Sequence, residues 1–101
     1  MHVRWAIVSL RDHSAIPGLI ALQEIPTAVT NGYASHNRLT HEWKNIPLLP
    51  KATVLETLQA VLDGEAEAAI IDLDTATPLI HAYNMTQLKI DANVFEKMDA
   101  L

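Results

Sequence analysis

Residues 53–77, TVLETLQAVLDGEAEAAIIDLDTAT, constrain the fold more than any other part of the chain. Thr53 and Glu56 are spaced as a T-x-x-E capping box, which supplies partners for the first backbone N–H groups of a helix. Val54, Leu55, Leu58, Val61 and Leu62 follow at helical spacing and make one apolar stripe. Gly64 stands where a helix ends in a left-handed turn. Residues 68–73 are then apolar except for Asp72, as expected of a strand covered on both faces. Asp74 is placed to cap a second helix over 75–83, with Pro78 in its first turn, where a missing N–H is tolerated. Helix, glycine stop, buried strand and helix in that order predict an α/β sheet. They also put Asp72 and Asp74 at the C-terminal end of a strand, where open α/β sheets hold ligands.

The rest of the chain continues the alternation. Residues 5–10 (WAIVSL), 26–30 (PTAVT), 46–50 (IPLLP) and 88–90 (LKI) read as strands, and residues 35–43 as a helix capped by Ser35. The prediction is a three-layer α/β sandwich: a mostly parallel five-stranded sheet with helices on both faces. Residues 1–92 form one lobe, and 93–101 read as a tail or the start of a further segment. At 101 residues and 50% hydrophobic, the chain can build one modest core.

Composition removes several classes of function. A net charge of -5, with seven scattered Lys and Arg, does not suit nucleic acid or an anionic membrane surface. The absence of cysteine removes disulfides, thiolate metal sites and a thiol nucleophile. His36 and His41 are five apart, on different helix faces, and His2, His13 and His81 have no partner in sequence, so no metal is expected. All three glycines are isolated, and no serine sits in a G-x-S-x-G elbow. Phosphate-loop, dinucleotide and classical hydrolase readings therefore lack their parts, and neither cofactor nor catalysis is expected.

Two positions remain as binding candidates. Asp72 interrupts an apolar run, and a buried carboxylate without a partner is costly, so it is suited to accept charge-assisted bonds from an ammonium group. Gly32-Tyr33-Ala34-Ser35 joins a strand to a helix N-terminus, whose N–H groups suit a carboxylate. Tyr33, Ala34, Ser35, Asp72 and Asp74 together suit a zwitterion or another small polar metabolite.

These stretches, with residues 6–12 (AIVSLRD), 18–22 (GLIAL), 27–33 (TAVTNGY) and 85–90 (MTQLKI), resemble in order and spacing the second lobe of type 2 periplasmic binding proteins, the family 3 extracellular solute-binding group. The likeness is greatest to the Venus-flytrap sensor domains of bacterial hybrid histidine kinases and related signalling proteins. The resemblance covers about residues 5–91. It implies a two-lobed periplasmic protein, membrane-anchored or secreted, that closes on its ligand and feeds signalling or transport. The partners it implies are a small-molecule ligand and a first lobe of the same protein; a homodimer of the isolated lobe is a further one. It places an amine-binding carboxylate at Asp72 and carboxylate-binding donors at Tyr33-Ala34-Ser35. Tyr33 stands where the transporter branch prefers Thr, which favours the sensor branch. Relatives that act as dehydratases give an alternative, for which Glu67, Asp72 or His36 would serve as general acid. A dimerisation or interaction module is another.

Overall fold

The apolar runs 5–8 and 68–71 lie in strands, the run 19–22 forms a 3-10 turn, and the capped stripe that starts at Thr53 forms a helix. The computed structural model describes residues 2–16, 18–31, 40, 41 and 43–97. The strands are β1 (His2–Leu10), β2 (Thr27–Thr30), β3 (Leu48–Lys51), β4 (Ala68–Asp72) and β5 (Leu88–Lys97). The helices whose full extent lies among the described residues are α1 (Val54–Leu62) and α2 (Leu73–Ala82), with a 3-10 turn at Leu19–Leu22.

The sheet order is β3-β2-β4-β1-β5. β2 pairs in parallel with β3 and β4, whereas β1 pairs antiparallel with β4 and β5. Four strands thus share one direction, as expected of a mostly parallel sheet, and β1 opposes them, so the sheet is mixed rather than purely parallel. Sequence patterning does not carry strand direction, and β1, inserted between β4 and β5, is the strand that reverses.

The two faces are covered differently. On one face Ala6, Val8, Ala28, Ala69 and Ile71 pack with Val54, Leu58 and Val61 of α1 and Ala76 of α2. On the other, Trp5, Ile7, Val29 and Ile70 pack with Ile16, Leu22 and Ile46 and with half-buried Trp43. The connectivity explains the split. The crossovers β3-α1-β4 and β4-α2-β5 step the same way across the sheet, and β2 to β3 steps the opposite way. A consistent crossover hand therefore puts α1 and α2 on one face and the β2–β3 connection on the other.

α1 follows its sequence signals closely. The Thr53 hydroxyl accepts from the Glu56 N–H at 3.1 Å, and Gly64 has φ +82°, the left-handed stop. The second half of the capping box differs: Thr53 Oγ1 also lies 3.3 Å from Glu56 Oε1, to which it can donate. Of the helix expected over 35–43, Thr40 and His41 are helical and Trp43 is not; residues 35–39 and 42 lie outside the described residues.

Two boundaries need correction. α2 begins at Leu73, directly after β4, so Asp72 and not Asp74 takes the N-cap position. β5 does not end at Ile90 but runs to Lys97, so residues 93–97 continue the strand in place of the expected tail. Pairing with β1 holds it there: His2 opposes Lys97 and Arg4 opposes Phe95. β4 opposes β1 only from Trp5 to Val8, so residues 2–4 and 95–97 form a two-stranded ribbon projecting past the body of the sheet.

Candidate functional site

Asp72 ends β4 after four fully buried residues and is itself half-buried. Its backbone (φ -51°, ψ 128°) turns the chain straight into α2, yet its side chain forms no cap hydrogen bond, and no described residue donates to it. Burial, and then the nearby charge of Asp74, push its carboxyl above the usual carboxylate range. Asp74 lies in the first turn of α2, where a negative charge is favoured by the helix dipole.

Two neighbouring strands complete the surroundings. Trp5 opposes Asp72 in the antiparallel β1–β4 pair, which puts both side chains on one face of the sheet. Trp5 is fully buried, and its indole Nε1 has no hydrogen-bond partner among the described residues. On the other flank β2 and β4 are in parallel register, Thr27 with Ala68 and Ala28 with Ala69. Carried along both strands, that register sets Asn31 level with Asp72. The end of β2 is held firmly. Thr30 Oγ1 lies 2.8 Å from Thr57 Oγ1 of α1, and Asn31 N donates to Lys51 O at 2.8 Å. Asn31, the last described residue of this end, therefore lies beside Asp72.

This place is special in the topology. Trp43 and Ile46 of the β2–β3 connection pack on one face and α2, which follows β4, on the other, and the two connections step in opposite directions across the sheet. Adjacent parallel strands whose connections diverge leave a crevice beyond their carboxyl ends. Asp72 and Asn31 flank that crevice.

No family model matches the chain, and no curated protein matches it. Solved structures do. Domain 2 from TmArgBP superposes with a TM-score of 0.80 at 19% identity, over 89% of this chain and 96% of that one. A histidine kinase sensor domain with similarity to periplasmic binding proteins gives 0.85 at 21% identity, over 93% of this chain and 42% of that one. An ancestral arginine-binding protein bound to glutamine gives 0.81 at 18% identity, over 96% of this chain and 43% of that one. This chain has the fold of a single periplasmic-binding-protein lobe. It spans about two fifths of the length of the sensor domain and of the ancestral protein, and nearly all of the isolated second domain.

Within the lobe the sequence-expected residues fall in three groups. Asp72 and Asp74 lie together at the crevice. Gly32, Tyr33, Ala34, Ser35 and His36 lie outside the described residues, although the strand that leads to them ends at the crevice. Glu67 precedes β4 at the opposite end of the sheet, roughly 17 Å away for a strand of five residues. There its carboxylate sits 3.4 Å from His13 Nε2. Glu67 and Asp72, two of the three alternative general acids, therefore lie at opposite ends of β4.

Sequence reasoning missed a polar cluster at that opposite end. Ser9, fully buried, donates to Asp91 Oδ2, and Lys89 Nζ donates to Asp91 Oδ1 and lies 3.1 Å from Ser9 Oγ. The Asp91 side chain is only 2% exposed, so its charge is held by these two partners. The β1–β5 register shifts between Ile7 and Val8, leaving Asp91 as the extra residue that turns inward. Ser9 interrupts the apolar run 5–10 as Asp72 interrupts 68–73, and that was the available signal. His13 is held above its ordinary pKa, first by its bond to the Ser14 carbonyl and then by Glu67, against an opposing desolvation effect.

Proposed function

We propose that this chain is the ligand-binding lobe of a two-lobed periplasmic sensor or solute-binding domain that recognises a small amino-acid-like or carboxylate metabolite without transforming it. The observation that carries the reading is Asp72. It is a half-buried carboxylate without a hydrogen-bond donor among the described residues, at the point where the connections of two adjacent parallel strands diverge. A ligand ammonium there would satisfy it with a charge-assisted bond. The turn 32–35, following the strand end beside it, would offer backbone N–H groups to the ligand's carboxylate.

The ribbon of residues 2–4 and 95–97 supports the two-lobed part of the reading. A pair of strands leaving on the crevice side is suited to carry a second lobe and to bend as the two close. The signal would then be a shift in a hinge equilibrium. The similar structures, an arginine-binding-protein domain and a kinase sensor domain, agree with a binding role in transport or signalling and with a periplasmic setting.

An amide NMR titration of this chain with free amino acids tests the proposal. Amine-bearing ligands should move the resonances of Asn31, Asp72 and Asp74 with affinity in the millimolar range, because half the contacts belong to the other lobe. N-acetylation of the ligand should abolish the effect. Shifts that survive Asp72→Asn, or micromolar binding by this chain alone, would count against the reading.

A further inference from the structure

The end of the sheet remote from Asp72 carries a groove with the makings of a site of its own. It lies between α2 and the edge strand β5, has a volume of about 410 Å³, and falls within the size range of small-molecule sites. Its apolar surface comes from Met85 and Leu88, both buried, half-buried Ile80, and Ile90, which is 38% exposed. Ile90 is one of two large hydrophobic side chains exposed to this degree among the described residues.

Charge is the second observation. The chain as a whole is at -5, yet the residues lining this groove include Arg11, His81 and Lys89 and no Asp or Glu. Lys89 is neutralised by Asp91. Arg11 is not neutralised: its Nε donates to the Thr86 carbonyl, and its terminal nitrogens have no ion-pair or hydrogen-bond partner among the described residues. The Arg11 backbone N–H is tied to Gln87 O at 2.8 Å as well. The guanidinium is thus tethered through Nε at the lip of the groove, with its other edge unpaired among the described residues. A planar fork held in place loses little freedom on binding and matches a carboxylate bidentately.

We propose that this groove is a second binding site, for a small monocarboxylate with an apolar body. The carboxylate seats on the free edge of Arg11, and the body covers Ile80, Met85 and Ile90. The site lies roughly 17 Å from Asp72, the length of β1 between Trp5 and Leu10, and stands or falls independently of the crevice.

Benzoate, with benzamide as its uncharged counterpart, provides the test by amide NMR titration of the chain. Benzoate should move Arg11, Thr77, His81 and residues 84–88 saturably, with a Kd on the order of 1 mM for so open a groove. Benzamide should bind at least about tenfold more weakly, since it cannot form the ion pair. Arg11→Gln should weaken benzoate at least about tenfold. Because Arg11 also holds the 84–87 turn, Thr77→Trp is the second variant. It fills the groove from the helix side, leaves those hydrogen bonds alone, and should abolish binding. Asp72→Asn should leave the benzoate curve unchanged, whatever it does at the crevice. Absence of saturable shifts, equal binding of benzamide, or shifts that survive Thr77→Trp would overturn the proposal.

Discussion

The two ends of the sheet handle polar groups in opposite ways. At the end where β1 finishes and β5 begins, charges are closed on one another: Lys89 with Asp91 and Ser9, His13 with Glu67. At the end where β2 and β4 finish, Asp72 has no donor and the Trp5 indole no acceptor among the described residues, although the two residues are directly opposed. A buried polar group without a partner costs roughly 1–3 kcal/mol, so a fold retains one where it has a use. The contrast teaches where to look. The well-paired end is structural, apart from Arg11, and the unpaired end is the one built for something outside the lobe.

Binding should show the contrast most strongly. Asp72→Asn should lower affinity for an amine-bearing ligand about tenfold to a hundredfold in a two-lobed protein, measured by calorimetry, since charge-assisted bonds carry about 1.5–3 kcal/mol. Asp91→Asn, at the other end, should leave affinity unchanged. On stability the order reverses. Asp91→Asn removes the charge that Lys89 and Ser9 surround and should cost about 3 kcal/mol in denaturant unfolding. Thr57→Val should cost about 1 kcal/mol, because buried Thr30 then loses its partner.

Asp72→Asn itself should stabilise the lobe at neutral pH by less than about 1 kcal/mol, given its partial exposure. The sign follows from its raised folded-state pKa. The folded state binds the proton more tightly than the unfolded state, so ionisation of Asp72 removes stability as pH rises from 3.8 through the higher folded value. The gain in Asp72→Asn should therefore vanish below about pH 3.8. The smallest effect belongs to His13, whose raised pKa adds stability below 6.5 that is lost as pH rises through the folded value. Glu67→Gln should bring the His13 titration, followed by NMR, part of the way back toward 6.5, the Ser14 carbonyl retaining the rest.

How much of this was legible in the sequence depended on whether a local rule governed the element. The cap, stripe and glycine stop of α1 are local, and the helix formed where they placed it. β5 is held by partners far away in the chain. Its polar residues Asp91, Asn93, Glu96 and Lys97 break any apolar run, so only pairing with β1 reveals its length. Asp72 was found because a carboxylate among apolar residues is conspicuous. Its role as N-cap was missed because nothing in the sequence says that strand and helix join without an intervening residue. The unpartnered Trp5 N–H left no trace in the sequence, where tryptophan in a strand signals only burial. The position of the crevice follows from strand order, which is a property of the whole chain.

The pairing of His2 with Lys97 has a consequence for how such a lobe can travel. Two residues directly opposed across antiparallel strands lie about 5 Å apart, so residues 2 and 97 stand at nearly the same point. The span between them is a cassette with its two ends side by side. A surface loop of an unrelated host could be cut at one peptide bond and receive it, with almost no gap to bridge on either strand. Deleting it from a host would equally leave two ends within easy rejoining distance.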